Sequence, residues 1–216
     1  MLSIHKIVNH PVPSNCFVLY DKAVCNDCTI VDPGCKLGDE IFAFIKNEKL
    51  IPRYIILSHE HFDHCWGVNA IVERYHIPIV CSALCAECIQ FEKRNCSVFY
   101  DNKERFVITS QTISVESLNH VLPFNDNEFR FFETPGHTNA SICFTIDQKL
   151  FTGDTLIRNL RTVTKLPTGS VVKLQESIEL LRNMQGKGYM VYPGHGDLFE
   201  LDGYDLELMV KGEIPK

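Results

Sequence analysis

Positive charge is scarce in this sequence: 21 Lys and Arg stand against 27 Asp and Glu, for a formal net charge of −6. No basic patch is present, and both a phosphate backbone and an anionic membrane surface are bound through clustered Lys and Arg. Nucleic-acid and membrane partners are therefore set aside, leaving a small molecule as the expected substrate. Long apolar runs are missing too. No stretch approaches the length of a membrane span, and residues 1–11 contain no apolar core of a signal peptide. The expectation is a soluble, cytoplasmic protein. Nothing in the sequence marks an oligomeric state.

Cysteine, by contrast, is plentiful, with ten residues. Without a secretory signal these read as thiols or metal ligands rather than a disulfide framework. Cys16 and Cys143 lie in apolar strand runs and read as core. Cys25-x-x-Cys28 and Cys85-x-x-Cys88 would have to combine to make a Cys₄ zinc site, yet Cys28 and Cys85 are 57 positions apart. The second pair also falls in a predicted helix, where thiols at i and i+3 pack as small core side chains.

The 216 residues, 45% hydrophobic and 22% charged, suit a single globular domain over 1–216. Alternation and turn signals predict strands at 14–20 and 28–32, paired as a hairpin, and a break at Asp32-Pro33-Gly34. Helices are predicted over 39–48, 67–75, 83–94 and from a Ser170 cap to about 184. Further strands are predicted at 54–57, 78–81, 128–134, 141–147, 149–152 and 189–192. Residues 95–128 read as short strands, a long loop or both, and 155–169 as a loop bearing Arg158, Arg161 and Lys165. The element order suggests sheets packed on each other with helices outside, rather than a strictly alternating β/α fold.

The densest chemistry follows the apolar run 54–57. Ser58-His59-Glu60-His61-Phe62-Asp63-His64 places three imidazoles and the Asp63 carboxylate, beside that of Glu60, within six residues. Folding alone gives no reason for that. Neutral imidazole is a nitrogen donor for zinc, iron and copper, and Asp adds oxygen. His59 and His61, two apart, project to one side of an extended loop; Asp63 and His64 come after the turn and can face a neighbouring point. That spacing suits two adjacent metals better than one. The same arrangement, a strand running into a punctuated loop with His or Asp, recurs at Thr134-Pro135-Gly136-His137, Gly153-Asp154 and Pro193-Gly194-His195. Loops after strands are where a rigid scaffold presents functional groups.

His-x-His-x-Asp-His, Thr-Pro-Gly-His-Thr, Thr-Gly-Asp-Thr and Pro-Gly-His-Gly, in that order, resemble the metallo-β-lactamase-fold superfamily, most of all its glyoxalase II (hydroxyacylglutathione hydrolase) branch. The resemblance spans about residues 12 to 200. It implies an α+β fold, a four-layer αββα sandwich with the site at one edge of the sheets. It further implies a first metal held by His59, His61 and His137, a second by Asp63, His64 and His195, and Asp154 bridging them. Asp32 and Asn15 fall at supporting positions. The implied cofactors are two zinc ions, with iron or manganese as alternatives.

Two such metals can hold a shared water and lower its pKa towards neutrality, from about 15.7 in bulk. The resulting hydroxide attacks a carbonyl of a small thioester or ester-like substrate, with Asp63 orienting it and the metals stabilising the oxyanion. Two departures from glyoxalase II stand out. The C-terminal helical domain has no counterpart in the 21 residues after His195, and the segment after Asp154 lacks the usual Gly-Arg. The alternative function is a mononuclear-iron oxidoreductase of the persulfide dioxygenase type, which shares fold and motif.

Overall fold

The computed structural model describes residues 1–100, 104–115 and 120–207. Its contacts divide the chain into two compact units, Met1–Val115 and Glu116–Lys216.

The first unit is built on a six-stranded sheet. Its strands β1 (Ser3–Val8), β2 (Asn15–Tyr20) and β3 (Asp27–Val31) form an antiparallel meander. Helix α1 (Asp39–Glu48) then leads to β4 (Ile51–Ile56), which lies parallel to β3. Asp39 and Glu40 occupy the first turn of α1, where the helix dipole favours carboxylates, and Ile41 and Ile45 are its buried residues. After β4 come the one-turn helix α2 (Phe62–Cys65), α3 (Val68–Tyr75), β5 (Ile79–Ser82) and α4 (Ala83–Cys88). Ser82 caps α4, its Oγ accepting from the Cys85 N–H at 3.1 Å. Strand β6 (Thr112–Val115) closes the sheet in parallel with β5. Strand β5, parallel to both of its neighbours, is buried along its whole length, as a strand in the middle of a parallel array is, and β4 is buried at its C-terminal end, Ile55 and Ile56.

The second unit carries the other six-stranded sheet, in the order β12-β11-β10-β9-β8-β7. Its elements are β7 (His120–Phe124), β8 (Asn127–Glu133), β9 (Ile142–Ile146), β10 (Lys149–Gly153), α5 (Val171–Arg182), β11 (Met190–Pro193) and β12 (Phe199–Glu200). Alternation sorts the side chains. Phe132, Cys143, Leu150 and Val191 pack with Leu174, Ile178 and Leu181 of α5. Their neighbours Phe131, Phe144 and Phe151 point the other way and stack, with Phe144 and Phe151 ring centroids 4.7 Å apart. Ser170 caps α5 as the sequence predicts, through a 3.4 Å bond from the Lys173 N–H.

Several elements differ from expectation. Strands β1 and β12 were not anticipated. Strand β4 starts three residues earlier, at Ile51, and α4 ends at Cys88 instead of continuing to 94. Within the irregular 95–128 stretch, the structure places β6 and β7; residues 101–103 and 116–119 lie outside those described.

Candidate metal centre

In the first unit, β3 and β4 run parallel, so their C-terminal ends meet at one edge of the sheet. The end of β3 supplies Asp32, and the end of β4 supplies Ser58, His59 and His61, with Asp63 and His64 on α2. The three imidazoles are buried and adjacent: ring centroids of His59 and His61 are 4.8 Å apart, those of His59 and His64 4.3 Å. Asp63 is half-buried.

Asp32 organises this group. Its Oδ1 accepts the Ser58 N–H at 2.8 Å, and its Oδ2 accepts the Ser58 hydroxyl at 2.6 Å and His64 Nδ1 at 3.1 Å. A carboxylate only accepts, so His64 carries its proton on Nδ1. The Ser58 hydroxyl gives its single proton to Asp32, so the 3.0 Å contact between Ser58 Oγ and His59 Nδ1 is donated by His59. One buried carboxylate thus sets the tautomer of two histidines and leaves Nε2 as the basic nitrogen of each. A second network holds the loop from behind. Asn9 Nδ2 donates to Ser14 Oγ at 2.8 Å and to Asp32 O at 3.1 Å, and Ser14 Oγ donates to Asp63 O at 2.5 Å. Gly34 packs so closely that a Cβ there would lie 1.6 Å from Asp63 O.

In the second unit the geometry follows from strand direction. Strand β9 is antiparallel to both β8 and β10, and β10 is parallel to β11. The C-terminal ends of β8, β10 and β11 therefore share an edge, and they deliver His137, Asp154 and His195. Asp154 Oδ2 lies 3.5 Å from His137 Nε2 and 3.4 Å from His195 Nε2. His137 Nδ1 donates to the Val163 carbonyl at 2.7 Å, which makes its Nε2 the basic nitrogen. Thr134 and Thr155 tie two of these loops together, with hydroxyls 3.1 Å apart.

Both groups show the same electrostatic signature. In His137 a basic Nε2 faces a carboxylate oxygen at 3.5 Å, and in His64 another faces Asp63 Oδ2 at 3.6 Å. Acceptor facing acceptor is repulsive unless a cation or proton lies between them. A metal ion meets that requirement, and the mixture of neutral imidazole nitrogen with carboxylate oxygen is a donor set for zinc, iron or manganese. The fit is good in each group.

All seven candidate ligands thus lie in two clusters, His59, His61, Asp63 and His64 in one unit and His137, Asp154 and His195 in the other. The cysteines do not join them. Cys65 is buried, with Sγ donating to Glu60 O at 3.3 Å, and burial pushes the Cys28 and Cys143 thiols up to about 12. Of the two Cys-x-x-Cys pairs, Cys28 lies in β3, whereas Cys85 and Cys88 lie in α4. Trp66 is buried, its ring stacked on Phe106 at 5.8 Å. His5 stacks on Phe44, and His76 closes α3. Arg158, Arg161 and Lys165 are exposed. Asn9 and Ser14 escaped the sequence reading, because a lone Asn and a lone Ser on either side of Pro11 and Pro13 read as ordinary turn residues.

Comparison with known proteins matches residues 10–195 to the metallo-beta-lactamase superfamily. The chain belongs to that superfamily. It is 30% identical over 201 residues to a protein of Streptococcus pyogenes serotype M6 named as a probable metallo-hydrolase, covering 91% of this chain and 84% of that one. A probable polyketide biosynthesis zinc-dependent hydrolase of Bacillus subtilis, PksB, is 24% identical over 83% of this chain and 72% of its own length. Among solved structures, the B3 metallo-beta-lactamase BLEG-1 superposes with a TM-score of 0.82 at 26% identity, covering 92% of this chain and 94% of that one. TTHA1623 in a di-iron-bound form gives 0.74 at 23%, covering 91% and 94%. ETHE1 from Myxococcus xanthus gives 0.74 at 18%, covering 96% and 88%. The fold class is therefore the expected one, an α+β sandwich of metallo-β-lactamase type with two mixed sheets flanked by helices. No helix among the described residues is long and apolar enough to cross a membrane.

Proposed function

We propose that this chain is a dinuclear metal-dependent hydrolase that opens a small thioester or ester-like bond, working as one domain. The observation that carries this reading is the repeated facing of a basic imidazole nitrogen and a carboxylate oxygen, at His137 with Asp154 and at His64 with Asp63. We assign His59, His61 and His137 to a first metal, Asp63, His64 and His195 to a second, and Asp154 to both. The four ordered sequence blocks support the assignment, and the superfamily match across residues 10–195 supports the single working domain.

Zinc is the favoured metal, in line with the name of the Bacillus relative, and the di-iron form of TTHA1623 keeps iron within range. Bound there, the metals would acidify water and polarise the scissile carbonyl. The chain's own residues do the rest. Asp32 holds His64 directly, and His59 through Ser58, in the tautomer that presents Nε2. Val163 does the same for His137. Asp63 orients the attacking oxygen, its loop fixed by Ser14. Among hydrolases of this fold, we favour the glyoxalase II branch as the model for this chemistry, on the strength of the four sequence blocks.

The second reading, a mononuclear-iron oxidoreductase of persulfide dioxygenase type, is kept because a fold shared with ETHE1 accommodates it. Metal analysis of the purified protein, with a panel of thioester, lactone and phosphodiester substrates, separates the two. Two metal ions per chain and thioester or ester turnover are expected. One iron per chain with oxygen uptake would replace the hydrolase reading by the second.

A further inference from the structure

The second sheet has a far edge, opposite the one that delivers His137, Asp154 and His195. Two tight hairpin turns form it, Asn125-Asp126 between β7 and β8 and Asp147-Gln148 between β9 and β10, together with Tyr189 just before β11. On the face that α5 covers, residue types change towards this edge. Phe132, Cys143, Leu150 and Val191 pack under the helix. Further out on the same face come Arg130 and Glu128 on β8, Thr145 on β9, Gln148 before β10 and Tyr189 before β11. With the two turns they line a cavity of about 540 Å³.

Thr145 sets this cavity apart from a surface groove. It is only 6% exposed and lines the cavity, and its hydroxyl has no hydrogen-bond partner among the described residues. A polar group buried without a partner is destabilising, and a ligand that completes its hydrogen bonds removes that cost. The charges around Thr145 are mostly matched. Glu128 pairs with Arg130, and Lys149 Nζ donates to Asp147 Oδ2 at 3.0 Å. Asp126 is exposed and forms no ion pair among the described residues, so one carboxylate is left over. Of the lining residues, only Pro123 and Tyr189 are largely apolar.

That chemistry rejects an acyl chain, which needs apolar walls, and an anion, which Asp126 repels. It suits hydroxyl groups, each a donor and an acceptor at once, on a ring whose C–H face lies against an aromatic side chain. It also suits a single positive charge. We infer that this cavity binds an amino sugar, with its ammonium at Asp126 and its hydroxyls on Thr145 and Gln148. The site is independent of the metal chemistry, because the cavity and the three candidate ligands lie at opposite edges of the sheet.

Glucosamine, glucose and glucuronate share one ring and are cationic, neutral and anionic at about pH 6. Each is titrated into the isotope-labelled full chain to about 50 mM, a range that reaches millimolar affinities, and followed by amide NMR shifts. Glucosamine should bind about threefold more tightly than glucose, the worth of one exposed charge pair, and glucuronate most weakly. Asp126→Asn should erase the advantage of glucosamine and leave glucose unchanged. Thr145→Val keeps the shape of the side chain and should weaken glucosamine and glucose about fivefold. Gln148→Ala, in an exposed turn, should weaken both about threefold and serves if the valine variant does not fold. Absence of binding by all three sugars overturns the inference, as does equal affinity for glucosamine and glucuronate. Wild-type affinity in whichever of the Thr145 and Gln148 variants fold overturns it too. Putrescine, a cation without hydroxyls, is the last probe. If it binds as tightly as glucosamine, the cavity is a plain cation contact and the amino-sugar assignment falls.

Discussion

Asp154 and Asp32 are both buried carboxylates, but they do different work. Asp154 Oδ2 stands between two imidazoles that have no other reason to converge on it. Asp154→Ala should release or disorder metal and abolish turnover, read by metal content and activity together; full occupancy with normal turnover would end its bridging role. Asp32 is not itself a proposed ligand; it acts through His64, which it bonds directly, and through Ser58. Asp32→Asn keeps the shape, but its amide can turn a donor towards protons that need an acceptor. Metal affinity should fall by about 10–100-fold, the usual cost of losing an orienting partner, and a competition titration with a chromophoric chelator measures it. Unchanged affinity would show that backbone alone orients these rings. At this scale the sequence was informative about ligands and silent about support. The seven ligands are legible because His and Asp in punctuated loops stand out chemically. Asn9 and Ser14 are ordinary residue types whose role exists only once β1, β2 and the Asp32 turn are folded together.

Elements were legible where their cause is local. Helix α1 shows its acidic first turn and apolar spacing in the sequence, and α5 shows its Ser cap. The failures have tertiary causes. Helix α4 stops at Cys88, where the Gln90 and Phe91 N–H groups turn to the carbonyls three back, Glu87 and Cys88, and the Ile89 carbonyl beyond accepts the Ile108 N–H, at 2.9 Å, from a distant segment. Strand β4 passes through Pro52, which reads as a strand breaker; a register shift opposite Cys28 and Thr29 absorbs it, with Arg53 bulged out to pair with Asp27. The turn after β3 shows how tightly such elements are fitted. A Cβ on Gly34 would meet backbone at Asp63 O and C, with no flexible side-chain end to yield. Gly34→Ala should therefore cost about 3 kcal/mol or more, at the upper end of overpacking, and weaken metal uptake by displacing Asp63. A wild-type denaturant midpoint would mean that the loop has room which the structure does not give it.

At the scale of the whole molecule, the fold class was readable from four ordered blocks, while the strand order of either sheet was not, because pairing such as β10 with β11 joins segments some forty residues apart through α5. Stability at this scale carries two signatures. The first is alkaline. Burial holds Cys143, and burial with the nearby Asp27 charge holds Cys28, at about 12, against an ordinary value of 9.0. Between those limits the unfolded chain sheds protons that the folded chain retains, so stability is full below about pH 9 and declines as pH rises through the window, by up to about 1.4 kcal/mol per pH unit for each thiol. Denaturation midpoints from pH 8 to 11 should fall accordingly, and Cys143→Ala should flatten the slope; an equal slope in that variant would assign the decline to other groups.

The second signature concerns the facing acceptors at His137 with Asp154 and at His64 with Asp63. Their repulsion is a cost the folded chain bears until a cation arrives, so metal should stabilise the fold as well as equip it. A ligand that binds only the folded state, at about a hundred times its Kd, adds about 2.7 kcal/mol per site. In a chain of this size each kcal/mol is worth about 2–4 °C. Chelation of the metal-loaded protein should then lower the midpoint of thermal unfolding by about 5–10 °C for each site emptied. The loss should be smaller in Asp154→Ala, which relieves the repulsion and removes a ligand at once. A chelated protein that melts with the loaded one would mean that protons, not metal, lie between these imidazoles and carboxylates, and the hydrolase reading would lose its physical basis.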